Sequence, residues 1–214
     1  MNQPETRKTA SGRDVQSGSG RLKKIGILGG SFDPIHIGHL AIAQEARWQC
    51  GLDVVLFMVT AQPPHKKDPE APVEHRLRMV ELAIEDESTF LPSRIEIERG
   101  GASYTAETLK ELRRIYPDGS FYLIVGADSV LDFSAWKHPE RVIEMSNVVV
   151  APRPGFNLSQ MEPDMEGKAH ILQSVTIEIS STLIRARLHE GKPVRFFVPD
   201  VVERYIREHK LYSD

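Results

Sequence analysis

Residues 29–39 read Gly-Gly-Ser-Phe-Asp-Pro-Ile-His-Ile-Gly-His, which sets His36 and His39 three positions apart. Around one helical turn that spacing turns both imidazoles to the same side. Gly29 and Gly30 let a backbone bend sharply and bring its N–H groups close to an anion. Gly38 falls at an expected helix start, where unsatisfied N–H groups and the helix dipole favour phosphate. Two imidazole donors beside such a turn suit a phosphate at the pentacoordinate stage of transfer. A structural histidine pair has the same spacing. So does a pair of metal ligands, but a metal needs a third ligand one turn on, where Ala43 stands.

A second polar start lies far along the chain, at Ile179-Ser-Ser-Thr-Leu-Ile-Arg185. A helix opening with Ser180, Ser181 and Thr182 offers hydroxyls and free N–H groups together, which fits either a phosphate or a plain N-cap. Gly126 and Asp128 follow an apolar run, where a close backbone and a carboxylate can meet a ribose; Asp128 also fits a helix N-cap. Trp136 fits either a stacking platform or the core. His65 and Lys66 fall in the Pro-rich stretch 61–72, where charge is otherwise solvated surface. Two other phosphate loops are excluded. Gly167-Lys168 and Gly191-Lys192 lack a following Ser or Thr, and Gly18 and Gly20 lead to Lys23 before any strand.

The elements that must position these residues alternate. Apolar runs at 25–28, 53–59, 121–125 and 148–150 predict buried strands, and the alternation at 94–98 predicts a half-exposed one. Val175–Ile179 predicts the last. Helices are expected over 38–50, along the stripe Val73, Leu77, Val80 and Ile84, over 104–116, from Ser180 to a stop at Gly191 and Pro193, and from Pro199 onward. Residues 153–174 read as loop, with Pro154, Gly155, Pro163 and Gly167 as breakers. Strands alternating with helices predict an α/β fold: a Rossmann-like, doubly wound, mostly parallel sheet with helices on both faces, in a single domain. Ligands of such sheets lie at the carboxyl ends of the strands, near the point where strand order reverses.

Composition narrows the class. Of 214 residues, 40% are hydrophobic and 27% charged, enough for a substantial core without the excess charge of a disordered chain. The net charge of −3 argues against a general nucleic-acid coat protein. Cys50 is the single cysteine, which excludes an intrachain disulfide and an all-cysteine metal site. No apolar run approaches the ~20 residues of a bilayer span, and a cytoplasmic setting is expected. Residues 1–23 are rich in Ser, Gly and charge and are expected to form a disordered tail, without the apolar stretch of a secretory signal. The domain is expected over 24–214.

The two polar motifs together resemble the HxGH and ISSTxIR signatures of the nucleotidylyltransferase superfamily. Within it, the chain resembles the bacterial nicotinate-nucleotide adenylyltransferase family over about residues 24–213. The supporting stretches are Pro63-Pro-His-Lys66, Ser103–Leu109, Gly126-Ala-Asp128, Phe133-Ser-Ala-Trp136 and Arg153-Pro-Gly155. Ser31 stands where many members carry Thr, and both keep a hydroxyl. The resemblance implies transfer of AMP from ATP to nicotinate mononucleotide, giving nicotinate adenine dinucleotide and pyrophosphate. It implies that His36 and His39 are catalytic. ATP would be held by Gly29, Gly30, Ser31, Phe32, Gly126, Asp128, Ser181, Thr182 and Arg185. The mononucleotide would meet His65, Lys66 and Arg153 with its phosphate, Trp136 with its ring, and backbone N–H groups around Tyr104 and Thr105 with its carboxylate. Mg²⁺ is implied as a partner of the triphosphate, held mainly by ATP phosphates and not by a protein metal site. The alternatives are another member of the superfamily, acting on nicotinamide mononucleotide or phosphopantetheine, or, from a different class, a nucleic-acid-binding module. ATP and nicotinate mononucleotide are the expected partners, without nucleic acid or membrane; a homo-oligomer is compatible with the sequence.

Overall fold

Six strands join in one sheet: β1 (Lys24–Gly30), β2 (Val54–Val59), β3 (Phe90–Ser93), β4 (Ser120–Gly126), β5 (Ser146–Ala151) and β6 (Ala169–Ile171). Their order is β3-β2-β1-β4-β5-β6, and every pairing is parallel. The computed structural model that shows this describes residues 22–63, 68–153, 155, 168–173 and 177–213. The helices are α1 (Ile37–Cys50), α2 (Val73–Ala83), α3 (Ile95–Arg99), α4 (Thr105–Ile115), α5 (Ala127–Leu131), α6 (Pro139–Met145), α7 (Ser181–His189) and α8 (Asp200–Glu208), with a single 3₁₀ turn at Phe133–Ala135. Among the described residues no helix is long and apolar enough to cross a membrane.

The continuous apolarity of the strands follows from cover on both faces. Along β2 the odd-numbered Val55, Phe57 and Val59 enter one apolar cluster, with Ala43, Leu77, Val80, Ile184, Val202 and Ile206. The even-numbered Val54, Leu56 and Met58 enter the other, with Ile95, Leu109, Leu112, Val130 and Val142. Helices α1, α2, α7 and α8 thus cover one face and α3, α4, α5 and α6 the other. This is the expected doubly wound arrangement in one domain. Its strand order reverses between β1 and β4, so the crevice lies beyond Gly30 and Gly126.

Several elements differ from the sequence expectation. Residues 95–99 form α3, not a strand: Ile95 and its neighbour Glu96 are both buried, which a helical turn allows and a half-exposed strand does not. The strand stands just before it, as β3, and carries Pro92 at the sheet edge, where a missing N–H is tolerated. The loop expected over 153–174 contains β6, which pairs with β5 from Val148↔Ala169 to Val150↔Ile171. Of the strand expected at Val175–Ile179, residues 175 and 176 lie outside the described residues, and 177–179 are not in a strand. Of the expected tail, 1–21 lie outside them too; Leu22 packs on the second cluster and the Lys23 N–H donates to Asp53 Oδ2 at 2.7 Å.

Candidate active site

The segment after β1 is built around two special positions. Gly29 and Gly30 do not make the expected bend: they extend β1, in register with Met58 and Val59. The left-handed backbone falls instead on Phe32, with φ of 48°, a costly conformation for a side chain of that size. Its ring is buried and packs edge-on to His39 at 5.0 Å and against Phe57 at 5.9 Å, which holds the turn in place. Asp33, 2% exposed, accepts hydrogen bonds from the Glu70 N–H (2.8 Å), the Ala71 N–H (3.1 Å) and the Tyr212 hydroxyl (2.7 Å). Space where a Cβ on Gly29 would stand is open, so β1 presents bare backbone to the crevice.

The two histidines meet as their spacing predicts. His36 is the N-cap of α1 and His39 its third residue, with rings stacked at 3.7 Å and 22°. The His36 N–H donates to Nδ1 of His39 at 3.2 Å. That bond assigns the proton of the His39 ring to Nε2, which makes Nε2–H the donor the ring offers. His36 is buried and its Nδ1 has no hydrogen-bond partner. Burial, and then the Arg153 cation, push its pKa down to about 4, so the ring is neutral at pH 7. At the helix start the neutral His36 ring and the His39 Nε2–H can donate to phosphate oxygens.

The distant second motif arrives at the same loop. Ser180 caps α7, its Oγ accepting the Leu183 N–H at 3.2 Å. Ser181 donates its hydroxyl to the Pro34 carbonyl at 2.9 Å. Arg185, one turn on, donates from Nη1 to the Asp33 carbonyl (2.8 Å) and from Nε to Glu70 Oε1 (2.6 Å). Thr182 lies exposed in the first turn. The other Glu70 oxygen lies 3.0 Å from His189 Nε2. Residues 147 and 152 positions apart thus meet: Ser181 and Arg185 grip Pro34 and Asp33, in the loop that leads into His36.

The far side of the crevice is assembled from β4, β5 and α4. Gly126 ends β4 and caps α5; a Cβ there would come 2.5 Å from Asp128 Oδ1, so only glycine leaves that carboxylate its place. Asp128 lies inside the first turn of α5, not at its cap, and its Oδ2 stands 3.5 Å from Arg153 Nη1. Tyr104 caps α4 and Thr105 opens it. Trp136 follows the 3₁₀ turn, half-buried, tilted against Phe133 at 5.2 Å. The neighbouring Lys137 lays its ammonium 4.1 Å from the Tyr104 ring centre, which joins the Trp136 turn to the start of α4. His65 and Lys66 lie outside the described residues.

Sequence reasoning missed the residues that hold these pieces together: Arg76, Glu70, Glu96, Lys137 and Tyr212. Arg76 carried one signal, because a cation sits within the apolar arc of the 73–84 stripe. Glu96 is 6% exposed; it accepts the Thr108 hydroxyl at 2.8 Å and its Oε2 has no hydrogen-bond partner. Burial pushes its pKa up.

A parallel doubly wound sheet with the starts of α1 and α7 gathered at the loop after β1 defines a class of folds that bind nucleotides beyond the strand ends. The model of the cytidylyltransferase-like family matches residues 27–187, so the chain belongs to that family. Relatives make the membership more specific. A protein of Thermus thermophilus named "Probable nicotinate-nucleotide adenylyltransferase" is 46% identical over 189 residues, 88% of this chain and 99% of that one. Its namesake in Moorella thermoacetica is 41% identical over 201 residues, covering 90% and 93%. The particular line to which the chain belongs is therefore that of the nicotinate-nucleotide adenylyltransferases. In fold it also resembles the Plasmodium falciparum nicotinic acid mononucleotide adenylyltransferase complexed with NaAD, with TM-score 0.72 at 20% identity over 89% of this chain and 97% of that one.

Proposed function

We propose that this crevice joins ATP to nicotinate mononucleotide in the synthesis of nicotinate adenine dinucleotide, with His36 and His39 as its catalytic pair. A phosphate oxygen of the mononucleotide attacks the α-phosphorus of ATP. A new P–O bond forms, the bond from the α-phosphorus to the bridging oxygen breaks, and pyrophosphate leaves with that electron pair. The attacking phosphate is already ionised at neutral pH, so no general base is needed. Catalysis reduces to placing two anions and stabilising charge on the reacting oxygens.

The observation that carries this reading is the grip of α7 on the loop before His36, through Ser181 on Pro34 and Arg185 on Asp33. By this reading two helix N-termini, two imidazoles and a guanidinium would surround one space. There Gly29, Gly30, Ser31 and Phe32 would line the triphosphate, and Ser181, Thr182 and Arg185 would hold its β- and γ-phosphates. Arg185 would exchange Glu70 for phosphate oxygens. Gly126 and Asp128 would meet the adenosine ribose. On the other side the mononucleotide ring would stack on Trp136, with its carboxylate at the N–H groups around Tyr104 and Thr105 and its phosphate toward Arg153, His65 and Lys66. N–H donors favour a carboxylate over an amide, whose NH₂ would face one of them.

ATP would enter as its Mg²⁺ complex. Phosphate and water oxygens would be the ion's main ligands. When bound, the ion neutralises charge on the leaving pyrophosphate. The test is pyrophosphate release by the full chain with ATP, Mg²⁺ and either nicotinate or nicotinamide mononucleotide. Release with the acid, and a slower rate with the amide, is the expected result. Silence with both would overturn the assignment.

A further inference from the structure

Arg76 belongs to neither motif, yet among the described residues it is the largest fully buried side chain, at 2% exposure. Among the described residues its guanidinium donates only to backbone carbonyls. Nη1 reaches Ser31 (2.7 Å) and Thr60 (2.8 Å), Nη2 reaches Ala61 (3.3 Å) and Nε reaches Ala71 (3.1 Å). Ser31 opens the loop that carries His36. Thr60 and Ala61 leave β2 on the other side, and the Ala61 N–H donates to the Ser103 hydroxyl, just ahead of α4. One planar fork therefore ties the loop assigned to ATP to the path leading to the mononucleotide. The Asp33 carboxylate, itself anchored on Glu70 and Ala71, supplies the nearby opposite charge.

We propose that Arg76 is a positioning residue that fixes the spacing between the two substrates, so that the attacking phosphate lies in line with the α-phosphorus. The proposal rests on the reaction assigned above. Lysine cannot replace it: an ammonium has three donors around one point, whereas the guanidinium spreads five across a rigid plane, of which four are engaged here. A shift of about 1 Å between reacting groups can cost roughly 10²-fold in rate. Each substrate alone still meets its own loop, so the loss should appear only where both sides act together.

The test compares the full chain with Arg76→Lys and Arg76→Gln, assayed at 10 °C, each with its thermal unfolding recorded. Expected is a fall in kcat of roughly 10–10²-fold for both variants, with the separate Kd values of ATP and nicotinate mononucleotide within about threefold of the unaltered chain. Affinity for nicotinate adenine dinucleotide, which spans both sides, should weaken by about tenfold, because it reads the spacing directly. A role in stability alone would lower the unfolding temperature and leave kcat and the dinucleotide Kd unmoved, which would overturn the proposal. Folded Arg76→Lys with normal kcat would do the same, and so would failure of both variants to fold at 10 °C. If the unaltered chain releases no pyrophosphate, the assigned reaction fails instead, and the two failures are told apart.

Discussion

Two carboxylates are buried beneath the two sides of the crevice, and they are treated very differently. Asp33, under the side assigned to ATP, takes three hydrogen bonds from Glu70, Ala71 and Tyr212 and has the Arg185 guanidinium 3.8 Å away. Glu96, under the side assigned to the mononucleotide, is met by the hydroxyls of Thr108, Ser103 and Thr60 with Arg99 nearby, and burial still pushes its pKa up. The first site is a rigid anchor, fixed by three hydrogen bonds before any substrate arrives. The second is held by side-chain hydroxyls beneath it and, at the rim, by half-exposed pairs such as Arg153–Asp128, which contribute little. Preorganised groups act on the reacting atoms, whereas loosely held ones act on affinity. Substitutions on the Asp33 side should therefore change kcat, and those on the Glu96 side should change KM.

The largest expected effect lies on the preorganised side. His39→Ala removes the Nε2–H donor and should lower kcat by ~10²–10³-fold with little change in unfolding temperature, by analogy with loss of one oxyanion donor. Steady-state rates with both substrates saturating check it. A normal kcat would break the contrast between the sides.

A second expectation concerns stability. The folded pKa of His36 is about 4 and its ordinary value is near 6.5. Between those values the unfolded chain binds a proton that the native ring refuses. Stability is therefore fully present above about pH 6.5 and is lost as pH falls toward 4. At about 1.4 kcal/mol per unit the loss reaches on the order of 3 kcal/mol, or roughly 6–12 °C in unfolding temperature for a chain of this size. His36→Gln abolishes this titration, so the difference in unfolding temperature between the two proteins should narrow from pH 7 to pH 4. A pH-independent difference would mean that burial does not hold the ring neutral.

The same contrast governs what the sequence discloses. The sheet was legible because both faces are covered, which turns 25–28, 53–59, 121–125 and 148–150 into unbroken apolar runs. The first side of the crevice was legible because helix starts and His36–His39 spacing are local. Short pieces were not: β6 has three residues, too few for a period, and Pro92 disguises β3. In 94–98 the alternation of Ile95 and Ile97 mimics a strand, although the turn of α3 buries Ile95 and Glu96 together. The supports at Asp33, Arg76 and Tyr212 depend on contacts across as many as 179 positions, which no local pattern carries. The bend was misplaced for a different reason: a left-handed Phe32 is paid for by tertiary packing, and a sequence with two glycines next to it points to them instead.

The smallest effect sharpens the other half of the comparison. Trp136 packs against Phe133 at 5.2 Å and borders the second apolar cluster, so it has one foot in the core. It is still only half-buried, and its chain neighbour Lys137 reaches the Tyr104 ring. Stacking an electron-poor pyridine on indole contributes ~0.5–1.5 kcal/mol beyond area, equivalent to about two- to tenfold in affinity. Trp136→Ala should raise KM for the mononucleotide by that factor, with KM for ATP and kcat little changed. Trp136→Phe keeps a smaller aromatic face and should fall between the two. Equal rises in both KM values, together with a lower unfolding temperature, would place Trp136 in the core alone and remove the ring platform from the Glu96 side. A selective rise would show that this side works by affinity.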